Sequence, residues 1–342
     1  MTKAKITFTI VGIIILLVLF KAFQAETIEY LSRLGWEFWA WKFWLIVGIF
    51  LVNHIFLTYG WRVLIDQKIT PVQYVKMVLA RIGGDATASI NALGALAGEP
   101  LKALFVRDFI PIKTGLAAVV LDRTIHTVAN VLLVLTGIFI AFFILNIPLY
   151  VIAVTFALFT AMLVFLIVVI IRQQSGIVEY IITRFPGWLV GRIMTESRWE
   201  KLRALDAEIS LIFTSRDTTR HFYVSLAMHY FPVLASGVLE VYLIITFTGV
   251  SIPLHHALFV YIFGLFLTSA IFFMPANIGT SEGSFSLALS LLGYSPALGF
   301  SVGIIRRLRS FAWSAIGMLV LMYAGLLKKE VTNAEKTDFQ NS

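Results

Sequence analysis

The chain has 342 residues, of which 59% are hydrophobic and 13% charged, with a mean hydropathy of +0.89 and a formal net charge of +8. A soluble domain carries about 25% charged residues, so this is an integral membrane protein with no room for a separate soluble catalytic domain. The basic excess suits anionic lipid head groups, and nucleic acid is excluded because Lys and Arg are dispersed among apolar runs.

Lys3 and Lys5 precede an apolar run from Ile6 to Phe20. No small-residue cleavage site closes it, so it reads as an uncleaved first helix. Membrane helices need about 20 mostly apolar residues. By that measure the spans are 6–22, 43–62, 115–144, 148–171, 221–249, 254–275 and 297–326. Trp36, Trp39, Trp41 and Trp44 lead into the second and mark a membrane–water interface.

The region 72–93 carries Arg81, Gly83, Gly84 and Asp85 and would rank low by hydropathy alone. At an offset of 183 residues it falls on 255–276, and this makes it a polar, bundle-facing eighth span. The fold class expected is therefore all-α, with about eight transmembrane helices in two related halves (72–144 and 255–326). Segments 94–108 and 277–294 are broken, re-entrant pieces between spans, since irregular backbone at membrane depth must be buried in protein or line a wet cavity.

The connection 172–220 holds eight Lys/Arg and six Asp/Glu. Trp199, Leu202, Leu205, Ile209 and Ile212 recur there at helical spacing, which reads as an amphipathic helix on the membrane or over the bundle. Residues 1–327 form a single membrane domain, and 328–342 a polar, disordered tail. Orientation is contradictory under eight spans. The basic 172–220 connection and the lysines near the two termini both claim the cytoplasmic side, yet five spans before that connection and three after it put it opposite the termini.

The chemistry concentrates in two matched stretches. Glu99 stands 24 positions before Arg123, and Glu282 stands 24 before Arg306. The two frames superpose without a gap at the same offset of 183. Ionisable groups at membrane depth are costly and face a bundle interior or a wet cavity, and paired breaks in two halves point to a transporter's binding site. Glu99 and Lys102 share a helix face, and Asp122, Arg123 and His126 fall within about one turn. Arg306, Arg307 and Arg309 crowd the equivalent helix, and Asp85 and Glu240 are further acids in apolar surroundings. Pro275, Gly279 and Gly283 break the second segment.

Two readings of these sets stand. They are internal salt bridges fixing each broken segment, or they bind an anion, since three arginines exceed what one glutamate needs and guanidinium matches phosphate oxygens. The expected substrate-binding set is Glu99, Lys102, Asp122, Arg123, Glu282, Arg306 and Arg307. The chain has no cysteine, no Gly-x-Ser-x-Gly element and no P-loop, and its six histidines show no metal-ligand spacing. No catalytic residue, metal or cofactor is expected.

These motifs resemble those of the lysylphosphatidylglycerol synthase transmembrane-region family, also called flippase-like domain proteins. Its first signature is matched by Gly98-Glu99-Pro100-Leu101-Lys102 followed by Asp122-Arg123. Its second, Pro-x-x-x-Gly-x-x-Glu, is matched by Pro275 to Glu282, with Arg306 or Arg307 as the later arginine. Lys102 stands where arginine is common, which keeps the charge but not the bidentate fork, and the usual proline before the Gly-Glu element is missing. The resemblance implies a multi-pass protein of the cell (inner) membrane that moves or handles lipids. In the multiple peptide resistance factor this region is fused to an aminoacyl transferase and flips aminoacylated phosphatidylglycerol. Other relatives are linked to polyprenyl-phosphate glycans and hopanoids. The chain ends soon after its last span, so the transferase domain is expected to be missing. The resulting expectation is a non-enzymatic protein that translocates or binds an anionic lipid. The alternative is an accessory protein or enzyme of phospholipid, hopanoid or lipid-linked glycan synthesis. The expected partners are membrane lipids with anionic head groups and a lipid-biosynthetic enzyme.

Overall fold

The computed structural model describes residues 3–90, 95–144, 218–270 and 277–340, with isolated positions between 150 and 207. Every regular element among them is helical. In chain order these are α1 (Lys3–Ser32), α2 (Gly35–Arg62), α3 (Pro71–Ile90), α4 (Ala95–Phe105) and α5 (Ile112–Ile144). After the sparsely described region come α6 (Thr218–Phe247), α7 (Leu254–Ala270), α8 (Thr280–Leu291) and α9 (Pro296–Gln340).

The chain is an all-α, multi-pass membrane protein. Within the described residues, Gly35–Arg62, Ile112–Phe142 and Arg220–Phe247 are long and apolar enough to cross a bilayer, and Leu254–Ser269 is a shorter apolar helix. Val52, Phe56, Phe139, Phe142, Tyr223 and Phe231 are exposed, as side chains facing lipid should be. Most of the 172–220 connection and Pro275 lie outside the described residues. The polar stretch after Leu327, expected to be a tail, continues α9 as helix to Gln340. Ala334, Glu335 and Lys336 are all good helix formers on a helix already nucleated.

The broken segments take a definite shape. α3 and α4 run antiparallel: Gly84 meets Gly98 and Lys102, while the loop after α4 returns to the start of α3. That return is fixed where Gln67 Nε2 donates to the Phe109 carbonyl at 2.6 Å. α7 and α8 form the same kind of hairpin. Gly264 faces Phe285 near the tip, and His256 meets the Tyr294 hydroxyl at the base at 3.1 Å. Each hairpin therefore begins and ends at one end of the bundle. α3 and α7 were expected as separate spans. Each packs antiparallel against the broken segment that follows it.

α7 starts at Leu254, 183 residues after α3 starts at Pro71. α9 starts at Pro296, 184 after α5 at Ile112. The helix pairs that join these sets run in opposite directions. Along α3 from Gly83 to Ser89, contacts pass from Leu321 back to Ser314 on α9. Along α2, Phe38 and Lys42 meet Phe247 at the end of α6, whereas Gly60 meets Ser225 and His229 near its start. The α7–α8–α9 unit is therefore upside down relative to α3–α4–α5. One hairpin opens at the end of the bundle holding residues 63–70 and 106–111, and the other at the opposite end.

Small residues set the closest approaches. A Cβ on Gly98 would fall on the Gly84 carbonyl oxygen, and one on Gly303 would lie 2.7 Å from the Glu282 Cα. Without side chains at these points the hairpin legs and their neighbours pack backbone to backbone, as membrane helices do at small residues.

Candidate functional site

The ionisable residues gather in two clusters, each beside the inner end of a hairpin. The first is built from α2 to α6. Arg81 on α3 is buried and donates from Nη2 to Asp122 Oδ2 on α5 at 2.7 Å and to the Leu57 carbonyl at 3.0 Å. The other Asp122 oxygen lies 3.1 Å from His229 Nε2 on α6. Lys102 on α4 is buried between Asp85 and Glu99, at 2.9 and 3.2 Å. Asp85 also faces His54 Nδ1 on α2 at 3.7 Å. Arg123 reaches Glu99 at 4.0 Å with half its side chain exposed. A pair at that distance and exposure is weak. Arg123 is thus available to a ligand in a way that Lys102 is not.

The second cluster is built from α6 to α9 and is more enclosed. Glu282, in the first turn of α8, is fully buried. It accepts the Gly279 N–H at 3.1 Å, capping the helix start. Gly279 has φ +78°, a conformation that only glycine adopts without strain, so the break and the cap depend on it. Arg307 grips Glu282 with two nitrogens, Nε on Oε1 and Nη2 on Oε2, the latter at 2.8 Å, and also donates to the Asn277 carbonyl. Arg306 turns the other way. Its Nε and that of Arg309 each lie 3.3 Å from the fully buried Glu240 on α6. The Arg306 guanidinium stands over the rings of Phe285 and Tyr261, 4.5 and 5.3 Å from their centroids. Arg309 packs on Phe50, 3.3 Å from its centroid.

The residues singled out from sequence therefore divide. Glu99, Lys102, Asp122 and Arg123 come together in the first cluster, and Glu282, Arg306 and Arg307 lie in the second. The partner of Glu282 is Arg307. Arg306, the residue in register with Arg123, pairs with Glu240 instead. Gly279 caps the broken helix, and Gly283 lies against Leu19 of α1. Arg81, His54, His229 and Tyr261 complete the clusters and were not among the expected set. Their signal was present, since each is polar or ionisable within an apolar helix.

Charge counting separates the clusters. In the second, Arg306 and Arg309 share the single carboxylate of Glu240, and Arg307 pairs with Glu282. Buried Nη1 atoms of Arg306 and Arg309 have no hydrogen-bond acceptor among the described residues. The two guanidinium groups neutralise Glu240 without making a well-formed hydrogen bond to it. Charge-bearing donors left in this state are costly in a dry interior. An anion with several oxygens would satisfy both the charge and the donors. Among the described residues no group of three or more His, Asp or Glu has metal-binding geometry.

Residues 6–317 match a family model described as the lysylphosphatidylglycerol synthase TM region. No curated protein and no solved structure gives a match.

Proposed function

The chain belongs to the lysylphosphatidylglycerol synthase transmembrane-region family, and we propose that it binds and translocates a lipid with an anionic, phosphate-bearing head group in the cell membrane without altering it covalently. The observation that carries this reading is the surplus of arginine in the second cluster, with buried donors of Arg306 and Arg309 left without acceptors. Guanidinium forks match phosphate oxygens, and Arg306 and Arg309 sit on aromatic rings that hold their planes in place. The two oppositely directed hairpins support the movement as well as the binding. The first brings Asp85, Glu99 and Lys102 toward the middle of the bundle from one end, and the second brings Glu282 from the other end against the arginines of α9, the arrangement that inverted-repeat transporters use around a central site. In this reading α3–α4 and α7–α8 are re-entrant from opposite membrane faces. The half-exposed Arg123 receives the phosphate on one side, and Arg306 and Arg309 receive it on the other.

The test uses purified protein in liposomes containing fluorescent phosphatidylglycerol or phosphatidylcholine. Movement of the anionic lipid between leaflets should exceed that of the zwitterionic one. It should fall at least tenfold in Arg306→Met and Arg309→Met at matched incorporation. Equal movement of both lipids, or wild-type rates in both variants, overturns the phosphate site. Mass spectrometry of the same lipids separates the alternative, an enzyme or accessory of lipid synthesis, because an enzyme changes the lipid's mass.

A further inference from the structure

His229 lies in α6 with no exposed surface, in a pocket that Gly60 of α2 leaves open. A Cβ at residue 60 would stand 2.8 Å from the ring at Nδ1 and Cε1. The two ring nitrogens have unlike neighbours. Nδ1 is 2.8 Å from the Ser225 carbonyl oxygen, which only accepts, so Nδ1 carries a hydrogen. Nε2 is 3.1 Å from Asp122 Oδ1. A neutral imidazole protonated at Nδ1 presents a lone pair at Nε2. Asp122 as a carboxylate presents another lone pair at Oδ1. Two acceptors would then face each other at contact distance in a buried site, and both atoms lack a hydrogen-bond partner among the described residues. One more hydrogen resolves the conflict, either on Nε2 as an imidazolium or on Oδ1 as a carboxylic acid.

The groups facing the pair come from every packed element. Asp122 and His126 are on α5, with the His126 ring 5.6 Å from that of His229. Arg81 on α3 holds Asp122 Oδ2, Lys102 on α4 bears on the same cluster beside Asp85 and Glu99, and α2 presents Gly60, the Leu57 carbonyl and, against Asp85, His54. His126 is partly exposed, and its ring lies next to that of His229.

We propose that His229 and Asp122 form a buried proton-binding site that holds one dissociable proton between Nε2 and Oδ1, loaded and unloaded through His126. That this proton exchanges as the lipid moves rests on the translocation reading above, whereas the proton site itself does not. His, Asp and Glu chains at membrane depth serve as proton relays in pumps and transporters.

The site is tested on the full-length protein in detergent, without added lipid. ¹⁵N-histidine NMR near neutral pH should show a histidine with both ring nitrogens protonated, absent from His229→Gln. If the proton rests on Asp122, infrared spectra should instead show a neutral carboxyl band that Asp122→Asn removes. Either variant suffices for the assignment if the other does not fold. A His229 ring with one N–H, together with no carboxylic acid band from Asp122 between acid and neutral pH, overturns the proposal. Coupling is read separately in liposomes holding a pH-sensitive dye. Proton movement should accompany phosphatidylglycerol movement and be lost in His126→Gln. Lipid movement with no proton movement overturns the coupling and leaves the lipid reading intact. Absence of lipid movement in the wild type sinks the lipid reading, while the spectra still decide the proton site.

Discussion

The Glu282–Arg307 pair offers the sharpest test of how the second hairpin is held. Arg307→Met leaves Glu282 fully buried, with the Gly279 N–H as its remaining partner. Removing one member of a buried pair costs about 3–5 kcal/mol, because the other charge stays without compensation. Glu282→Gln is the milder change. The amide keeps an oxygen for the Gly279 N–H, and Arg307, with 18% of its side chain exposed, can turn toward water while keeping the Asn277 carbonyl. A cost of about 1–3 kcal/mol follows for that substitution. The double variant has no orphan charge, so it should cost less than the two singles added, with a coupling energy of about 0.5–3 kcal/mol. Thermal unfolding in detergent, followed by loss of the monodisperse peak, gives the order: Arg307→Met lowest, Glu282→Gln above it, and the double variant at or above Arg307→Met. Strictly additive losses would refute the reasoning, since the two side chains would then be acting independently. Arg306→Met makes a useful contrast, because Glu240 keeps Arg309 at 3.3 Å and the loss of stability should be smaller than in Arg307→Met.

Other outcomes follow from the close backbone contacts and the hairpin ends. Gly98→Ala should destabilise strongly, because its Cβ meets the Gly84 backbone, whereas Gly48→Ala, with nothing within 4 Å, should be neutral or gain up to about 1 kcal/mol; thermal unfolding of the two side by side checks this, and equal effects would contradict the packing. Gly279→Ala forces a side chain into φ +78° and should cost about 1–3 kcal/mol in the same assay. Single cysteines at Lys68 and Arg107 in this cysteine-free chain should label from the same membrane face and Ser251 from the other; labelling of 68 and 107 from opposite faces would disprove the first hairpin.

Sequence spacing located the charged residues better than it located their partners. Glu99 and Glu282 were legible because a carboxylate in an apolar run is rare and the same 24-residue spacing follows each. Which arginine would hold Glu282 was not legible. Arg306 and Arg307 differ by about 100° around α9, and the choice is made by where α8 touches α9, at Gly303. The roles of His54 and His229 were hidden for a different reason. They sit on α2 and α6, outside the two stretches first matched, and their partners are 31 and 107 positions away in sequence. Yet α2 from Phe43 to Arg62 falls within α6 when moved by the same 183 residues. Extending the match by one helix in each half would have drawn both histidines into view. The hairpins were half legible. The short helices Ala95–Phe105 and Thr280–Leu291 fall within the segments marked from sequence, but hydropathy cannot tell a leg that turns back from one that crosses.

The upside-down relation of the two halves also bears on how the chain enters the membrane. At one end of the bundle, the described loops and adjoining turns carry Arg62, Lys68, Lys76, Arg107, Lys113 and Arg220. At the other, residues 248–253 and 292–295 carry no Lys or Arg, and among the described residues Arg33 and Lys42 lie nearby. α1 runs antiparallel to α9, with Phe20 and Phe23 against Phe300 and Glu26 near Ser295. The start of α1, the end of α9 and the start of α6 therefore share the basic end, and the conflict over orientation disappears. Two units that run in opposite directions cannot both obey the positive-inside rule with corresponding loops. Here the described loops of the α7–α9 unit lack the lysines and arginines that those of the α3–α5 unit carry. By that rule the basic end is expected to face the cytoplasm. Moving the positive residues at 68 and 107 to the loops at 251 and 293 is the change expected to turn the whole molecule over.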